Sequence, residues 1–141
     1  MHLFYIYSVK DEVSMDYYYK TELLFRFFQE YHRNPSSKLY QLQFKFITKP
    51  FPVTQLTRVM NRPHVRAISD TKKRAPITKW VDKHAIIEVT KEMCLIQCDH
   101  FMEAEKLLFQ NLRLIDRYFF IADYRNKQFG WISPQKKEML L

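Results

Sequence analysis

Glycine is almost missing from this chain: of 141 residues only Gly130 is one. Loops that wrap backbone N–H groups around phosphates need glycines in series, so the sequence holds neither a Walker loop nor a dinucleotide fingerprint. Cysteine is scarce as well. Cys94 and Cys98 are too few for a disulfide framework, and their spacing is that of neither a zinc knuckle nor a redox pair, which leaves buried, reduced thiols as the plain reading. The five histidines (His2, His32, His64, His84 and His100) include no His-x-x-x-His pair. Metal catalysis therefore has no anchor, and neither a catalytic residue nor a cofactor is expected. Long apolar runs are absent too, and the opening "MHLFYIYSVKDEV" reaches charged residues too soon for a signal-peptide core. A cytoplasmic protein with no membrane partner is expected.

Rings and positive charge, by contrast, are plentiful. The chain is 47% hydrophobic and 16% aromatic, which separates it from disordered sequences even at a net charge of +8. Its length suits one domain, residues 1–141, with a proper core. Residues 3–9, "LFYIYSV", read as a strand. Asp11 or Ser14 then caps a helix that runs to about His32, where "RNPSS" ends it. In "LYQLQFKFI" the alternation of Tyr40, Leu42, Phe44 and Phe46 with Gln41, Gln43 and Lys45 has the period of a half-buried strand, while Leu39, Leu42 and Phe46 leave a helix open as the alternative. Pro52 starts a short helix that stops before Pro63.

Residues 62–83 show no sustained periodicity and hold most of the excess positive charge, so they read as a long basic loop. "HAIIEV" and "MCLIQC" form a hairpin, "HFMEAEKLLFQNLRLI" an amphipathic helix, and "YFFIADY" with "FGWIS" a closing hairpin. The order β-α-β-α-β-β-α-β-β describes an α+β domain, one mostly antiparallel sheet covered by about three helices.

The first helix carries too many rings for one buried face. On a 3.6-residue wheel Val13, Tyr17, Thr21, Leu24, Phe28 and Tyr31 form a stripe, widened by Leu23 and Phe27 on one side and by Tyr18 and Phe25 on the other. This arc exceeds half the circumference, against a usual width a little above 100°. Most of the rings belong in the core, but part of the arc is left for another protein.

At "YSVKDE", the Tyr17–Tyr18 pair, "LFRFFQEYH", "FITKPFP", "EAEKLLF" and the closing "FFIADYRNKQFGWISP", the sequence resembles the SirA family of sporulation inhibitors of replication. The resemblance covers most of residues 4–60 and 84–134, in order and at nearly the same spacing, and is weak over the basic segment. It implies a small cytoplasmic α+β domain that binds the N-terminal domain of the replication initiator DnaA, as a monomer forming a heterodimer, and blocks new rounds of initiation during sporulation. Carried over position by position, it implies partner contacts at Val13 and Tyr17, at Gln43, and at Pro134. The family pattern has a larger aromatic where Val13 stands and a Phe-Gly-Arg run where this chain has Tyr18, Tyr19 and Lys20, so the contact patch is reshaped here.

Two other functions compete. Arg58, Arg62, Arg66, Lys72, Lys73, Arg74, Lys79 and Lys83 surround Trp80. Cations with a stacking ring suit phosphates and bases, so the 58–83 segment is an alternative nucleic-acid-binding module. Cys98 with His100 two residues on is the only candidate for thiol chemistry, and residues adjacent along the chain seldom make a nucleophile–base pair.

Overall fold

The computed structural model describes residues 1–60, 65–69 and 76–133. In chain order they form β1 (His2–Ser8), α1 (Asp11–Tyr17), α2 (Thr21–Arg33), α3 (Lys38–Ile47), α4 (Val53–Met60), β2 (Val65–Ser69), β3 (Pro76–Val81), β4 (Ala85–Val89) and β5 (Cys94–Cys98). A helix follows, built from α-helical turns at Phe101–Ala104 and Gln110–Arg113 around a π-helical turn at Glu105–Phe109; the three together are α5. The chain then forms β6 (Phe119–Asp123) and β7 (Gln128–Trp131). The class is α+β, with a single sheet in the order β2-β3-β4-β5-β1-β6-β7 and every pairing antiparallel.

Alternation along the central strands sorts the core into two clusters. Phe4 and Ile6 of β1 and Phe119 of β6 face one way, with Ile87 and Ile96, onto Leu56 of α4 and Leu108, Phe109 and Leu112 of α5. Tyr7, Phe120 and Ala122 face the other way, onto Leu24, Phe25 and Phe28 of α2 and Phe44 of α3. Helices thus lie on both faces of the sheet, with α1 to α3 gathered over the β1–β6–β7 end.

Three expectations from the sequence are corrected. The single helix from Asp11 to His32 is two helices, α1 and α2, parted at Tyr18–Lys20. The Tyr18 ring stacks on Trp131 with centroids 5.5 Å apart, and the Tyr18 carbonyl accepts from Trp131 Nε1 at 2.9 Å. A tertiary contact from the last hairpin therefore takes the carbonyl that a continuous helix would use.

Residues 38–47 are helix, not strand. The Ser37 hydroxyl accepts the Tyr40 N–H at 3.3 Å, an N-cap bond, and Tyr40, Phe44 and Ile47 make the inward stripe at helical spacing. Tyr31 stacks on Phe44 at 4.2 Å, which fixes α3 against α2.

The basic segment is not one long loop, because β2 and β3 pair within it from Val65–Trp80 to Ser69–Pro76, and β3 continues the sheet onto β4. Trp80 is buried in the α4–α5 cluster. The segment lacked periodicity because β2 and β3 lie at one end of the sheet, where alternation is set by neighbours more than by sequence.

Candidate partner-binding face

The sequence of α1 to α3 carries more large apolar side chains than its inward stripes can absorb. Met15 (70%), Tyr17 (39%), Tyr19 (82%), Leu23 (50%), Leu39 (63%), Leu42 (66%) and Phe46 (72%) all stay exposed. These seven, of thirteen exposed large hydrophobic residues among those described, fall within residues 15–46, so α1 to α3 carry just over half of the open large apolar side chains.

Backbone contacts tie the start of α1 to the end of α3. Val9 and Thr48 form an isolated bridge, and the Lys10 N–H donates to the Ile47 carbonyl at 3.0 Å. The Lys10 ammonium sits 5.5 Å from the centroid of the Phe46 ring, a cation–π distance. Lys49 reaches back to Asp11 at 3.2 Å and to Asp116 at 2.8 Å. Burial opposes the charge on Lys49, but its hydrogen bonds to Asp116 and Asp11 outweigh that and hold its pKa above the ordinary lysine value. At the other end of α1 the Lys20 ammonium lies 5.6 Å from the Tyr17 ring centroid, and Tyr18 is clasped by Trp131. The helical layer is thus anchored at both ends of α1.

Of the four residues indicated by the family pattern, three lie in this layer. Val13 is half-buried against the cluster around Leu24 and Phe44, while Tyr17 keeps 39% of its surface open on the last turn of α1. Gln43 is exposed on α3, one helical turn before Ile47. Its outward position follows from helix geometry and not from the strand alternation expected for this segment. Pro134 lies outside the described residues. Sequence reasoning missed Leu42 and Phe46, which a strand would turn inward beside Phe44. The signal was present in the Leu39, Leu42, Phe46 spacing, which marks the exposed stripe of α3.

The layer is backed by a polar cluster inside the fold. The Tyr7 hydroxyl lies 2.6 Å from His32 Nε2 and 2.5 Å from the Tyr124 hydroxyl, and the Tyr7 ring stacks on Phe28 at 3.9 Å. Burial lowers the His32 pKa to about 4, so the imidazole is neutral and able to accept from Tyr7. Burial raises Tyr7, with Tyr124 adding to the shift.

The competing chemistries find less support. Cys94 and Cys98 are both buried, and burial pushes both thiols above their ordinary range, which leaves no thiolate at neutral pH. His100 stands at the N-cap of α5, where its N–H donates to Glu103 Oε1 at 2.8 Å. Among the described residues His84, Asp99 and Glu103 bring possible ligand atoms within 4.8 Å of one another, a grouping that sequence spacing did not suggest. Two of the three are exposed, and Glu103 is already engaged in the cap. In the basic segment Trp80 is 2% exposed and closed to bases, and Lys79 is paired with Glu88 at 3.5 Å.

An α+β domain that leaves this much apolar surface open on one anchored helical layer has the make-up of a protein-binding domain. The chain belongs to the SirA family: the family model described as "Sporulation inhibitor of replication protein SirA" matches residues 2–136. A relative from Bacillus subtilis (strain 168), itself named Sporulation inhibitor of replication protein SirA, is 28% identical over 142 residues, covering 95% of this chain and 95% of its own.

Proposed function

We propose that this chain inhibits the initiation of DNA replication during sporulation by binding the N-terminal domain of DnaA through its α1–α3 layer. Membership of the SirA family supports a sporulation inhibitor of replication, a regulatory role without catalysis. The observation that carries the choice of surface is the exposure of Met15, Tyr17, Tyr19, Leu39, Leu42 and Phe46, with Gln43, along α1 to α3. Tyr17 is the anchor: a large rigid ring with a hydroxyl, partly open, at the end of a pinned helix. Val13, one turn before it, packs against the core cluster of Leu24 and Phe44, Gln43 supplies a hydrogen-bonding amide, and Pro134 completes the contact set. The whole chain, 1–141, acts as one domain in the cytoplasm, where the initiator works. No helix among the described residues is long and apolar enough to cross a membrane.

Mixing the purified chain with the N-terminal domain of the cognate DnaA and measuring the mass of the eluted species tests this reading. A one-to-one complex is expected. Two separate monomers at micromolar concentration, together with salt-sensitive binding to duplex DNA, would favour the nucleic-acid alternative.

A further inference from the structure

On the far flank of α3 from Gln43 the chain builds a pocket that the partner-binding reading does not use. Gln41 and Lys45 stand two positions either side of Gln43, about 200° around a helix of 3.6 residues per turn, and both line this second site. Its volume is about 590 Å³, within the range of small-molecule sites. The Tyr31 ring, stacked on the buried Phe44 at 4.2 Å, forms an aromatic wall, and Pro50 adds apolar surface.

The walls are held by backbone bonds between distant segments. Lys10 N–H donates to Ile47 O at 3.0 Å, Lys49 N–H to Ser8 O at 2.9 Å, and Phe51 N–H to Lys91 O at 2.7 Å. The pocket is therefore part of the folded frame and needs no assembly on binding.

Its charge is lopsided. Lys10, Lys45, Lys49 and Lys91 line it against a single carboxylate, Glu92. Lys49 is taken by Asp11 and Asp116. Among the described residues no carboxylate pairs with Lys45 or Lys91, and the Lys10 ammonium sits over the Phe46 ring, so Lys45 and Lys91 stand as unpaired cations at the apolar hollow. Such an arrangement selects an anion. Two further groups want donors. The Gln41 amide nitrogen donates to Pro35 O at 2.8 Å, leaving its carbonyl oxygen free to accept. The Glu92 carboxylate lines the same pocket as Tyr31.

We infer that this pocket binds a nucleoside polyphosphate: Lys45 and Lys91 hold the phosphates, Tyr31 and Pro50 take the base, and Glu92 and Gln41 accept from sugar hydroxyls or an exocyclic amine. No glycine-rich loop presents backbone N–H groups to the phosphates. Binding is accordingly modest, salt-dependent and without phosphoryl transfer. The inference is independent of the DnaA reading, because it concerns the opposite flank of α3 and needs no partner.

Isothermal titration of the whole chain at low salt, with ATP and GTP as probes, tests it. Saturable binding of at least one nucleotide with Kd below about 1 mM is expected. Adenosine and tripolyphosphate should each bind at least about tenfold more weakly, since each satisfies only half of the site. Lys45→Gln with Lys91→Gln alters two exposed side chains, so the fold is retained and nucleotide affinity should fall by about tenfold or more. Lys106→Gln with Lys127→Gln removes the same charge from α5 and the β6–β7 turn and should change affinity less than about twofold. The inference is overturned by absence of saturation up to about 5 mM, by equal losses in the two double variants, or by tripolyphosphate binding as tightly as the nucleotide.

Discussion

Replacing Tyr17 by alanine separates a binding anchor from a core ring. Tyrosine presents about 200 Å² of surface, and with 39% of it open about 80 Å² remains for a partner, which at about 25 cal/mol per Å² corresponds to about 2 kcal/mol. Tyr17→Ala should therefore weaken binding to the DnaA N-terminal domain by about 30-fold. The remaining area of about 120 Å² is already covered and corresponds by the same conversion to at most about 3 kcal/mol, so unfolding stability should drop by about 2–3 kcal/mol, no more than the low end of the 3–5 kcal/mol that follows emptying a buried aromatic site. Leu24 offers the opposite case. It is 3% exposed on α2, within the cluster of Tyr7 and Phe28, and Leu24→Ala should cost about 2–5 kcal/mol of stability while the folded fraction binds normally. Urea melts and binding titrations on both variants give the two numbers. If Tyr17→Ala unfolds the domain as severely as Leu24→Ala, or leaves the titration unchanged, the assignment of Tyr17 as an anchor fails.

Acid should destabilise the fold through His32. Burial lowers its pKa from 6.5 to about 4, so the stabilisation it contributes is present above about pH 6.5 and is lost as the pH falls through 4. Partial exposure of the ring reduces this to on the order of 1 kcal/mol, and His32→Gln should flatten the urea midpoint measured between pH 7 and about pH 4. Neutralising Lys72, Lys73 and Arg74, which lie outside the described residues, should leave DnaA binding within about tenfold, since rim charges mainly tune association rate. Loss of a micromolar, steeply salt-dependent affinity for duplex DNA in that variant would contradict the partner-binding account. Cys94→Ser with Cys98→Ser places two hydroxyls in the α4–α5 cluster and should cost about 1–3 kcal/mol each, yet replication should still be inhibited in cells that express the folded variant.

Elements with one clear local pattern were legible from the sequence. β1, the hairpin of β4 and β5, α5 and the closing hairpin follow from their own residue types and periodicity, and the structure has each of them. The misreadings come from contacts made over long range. The break between α1 and α2 is set by Trp131, more than a hundred residues away from Tyr18, and no local propensity marks it. The family's glycine at the position of Tyr19 was the available hint. In 38–47 strict alternation and a helical stripe coexist, and packing of Tyr31 on Phe44 decides for helix. Reading that segment as a strand left Gln43 outward but turned Leu42 and Phe46 inward, hiding two of the seven exposed apolar residues. Trp80 seemed a base-stacking ring because basic residues surround it in sequence; across the sheet it pairs with Ile87 and packs inward.

Hydrogen exchange of backbone amides, with and without the DnaA N-terminal domain, tests the central claim most directly, because it reports which surface a partner covers. The account predicts slowed exchange in residues 13–19 and 39–47, with β2 and β3 unchanged. Protection centred on residues 65–81, or none in α1 and α3 while a complex is present, would contradict it.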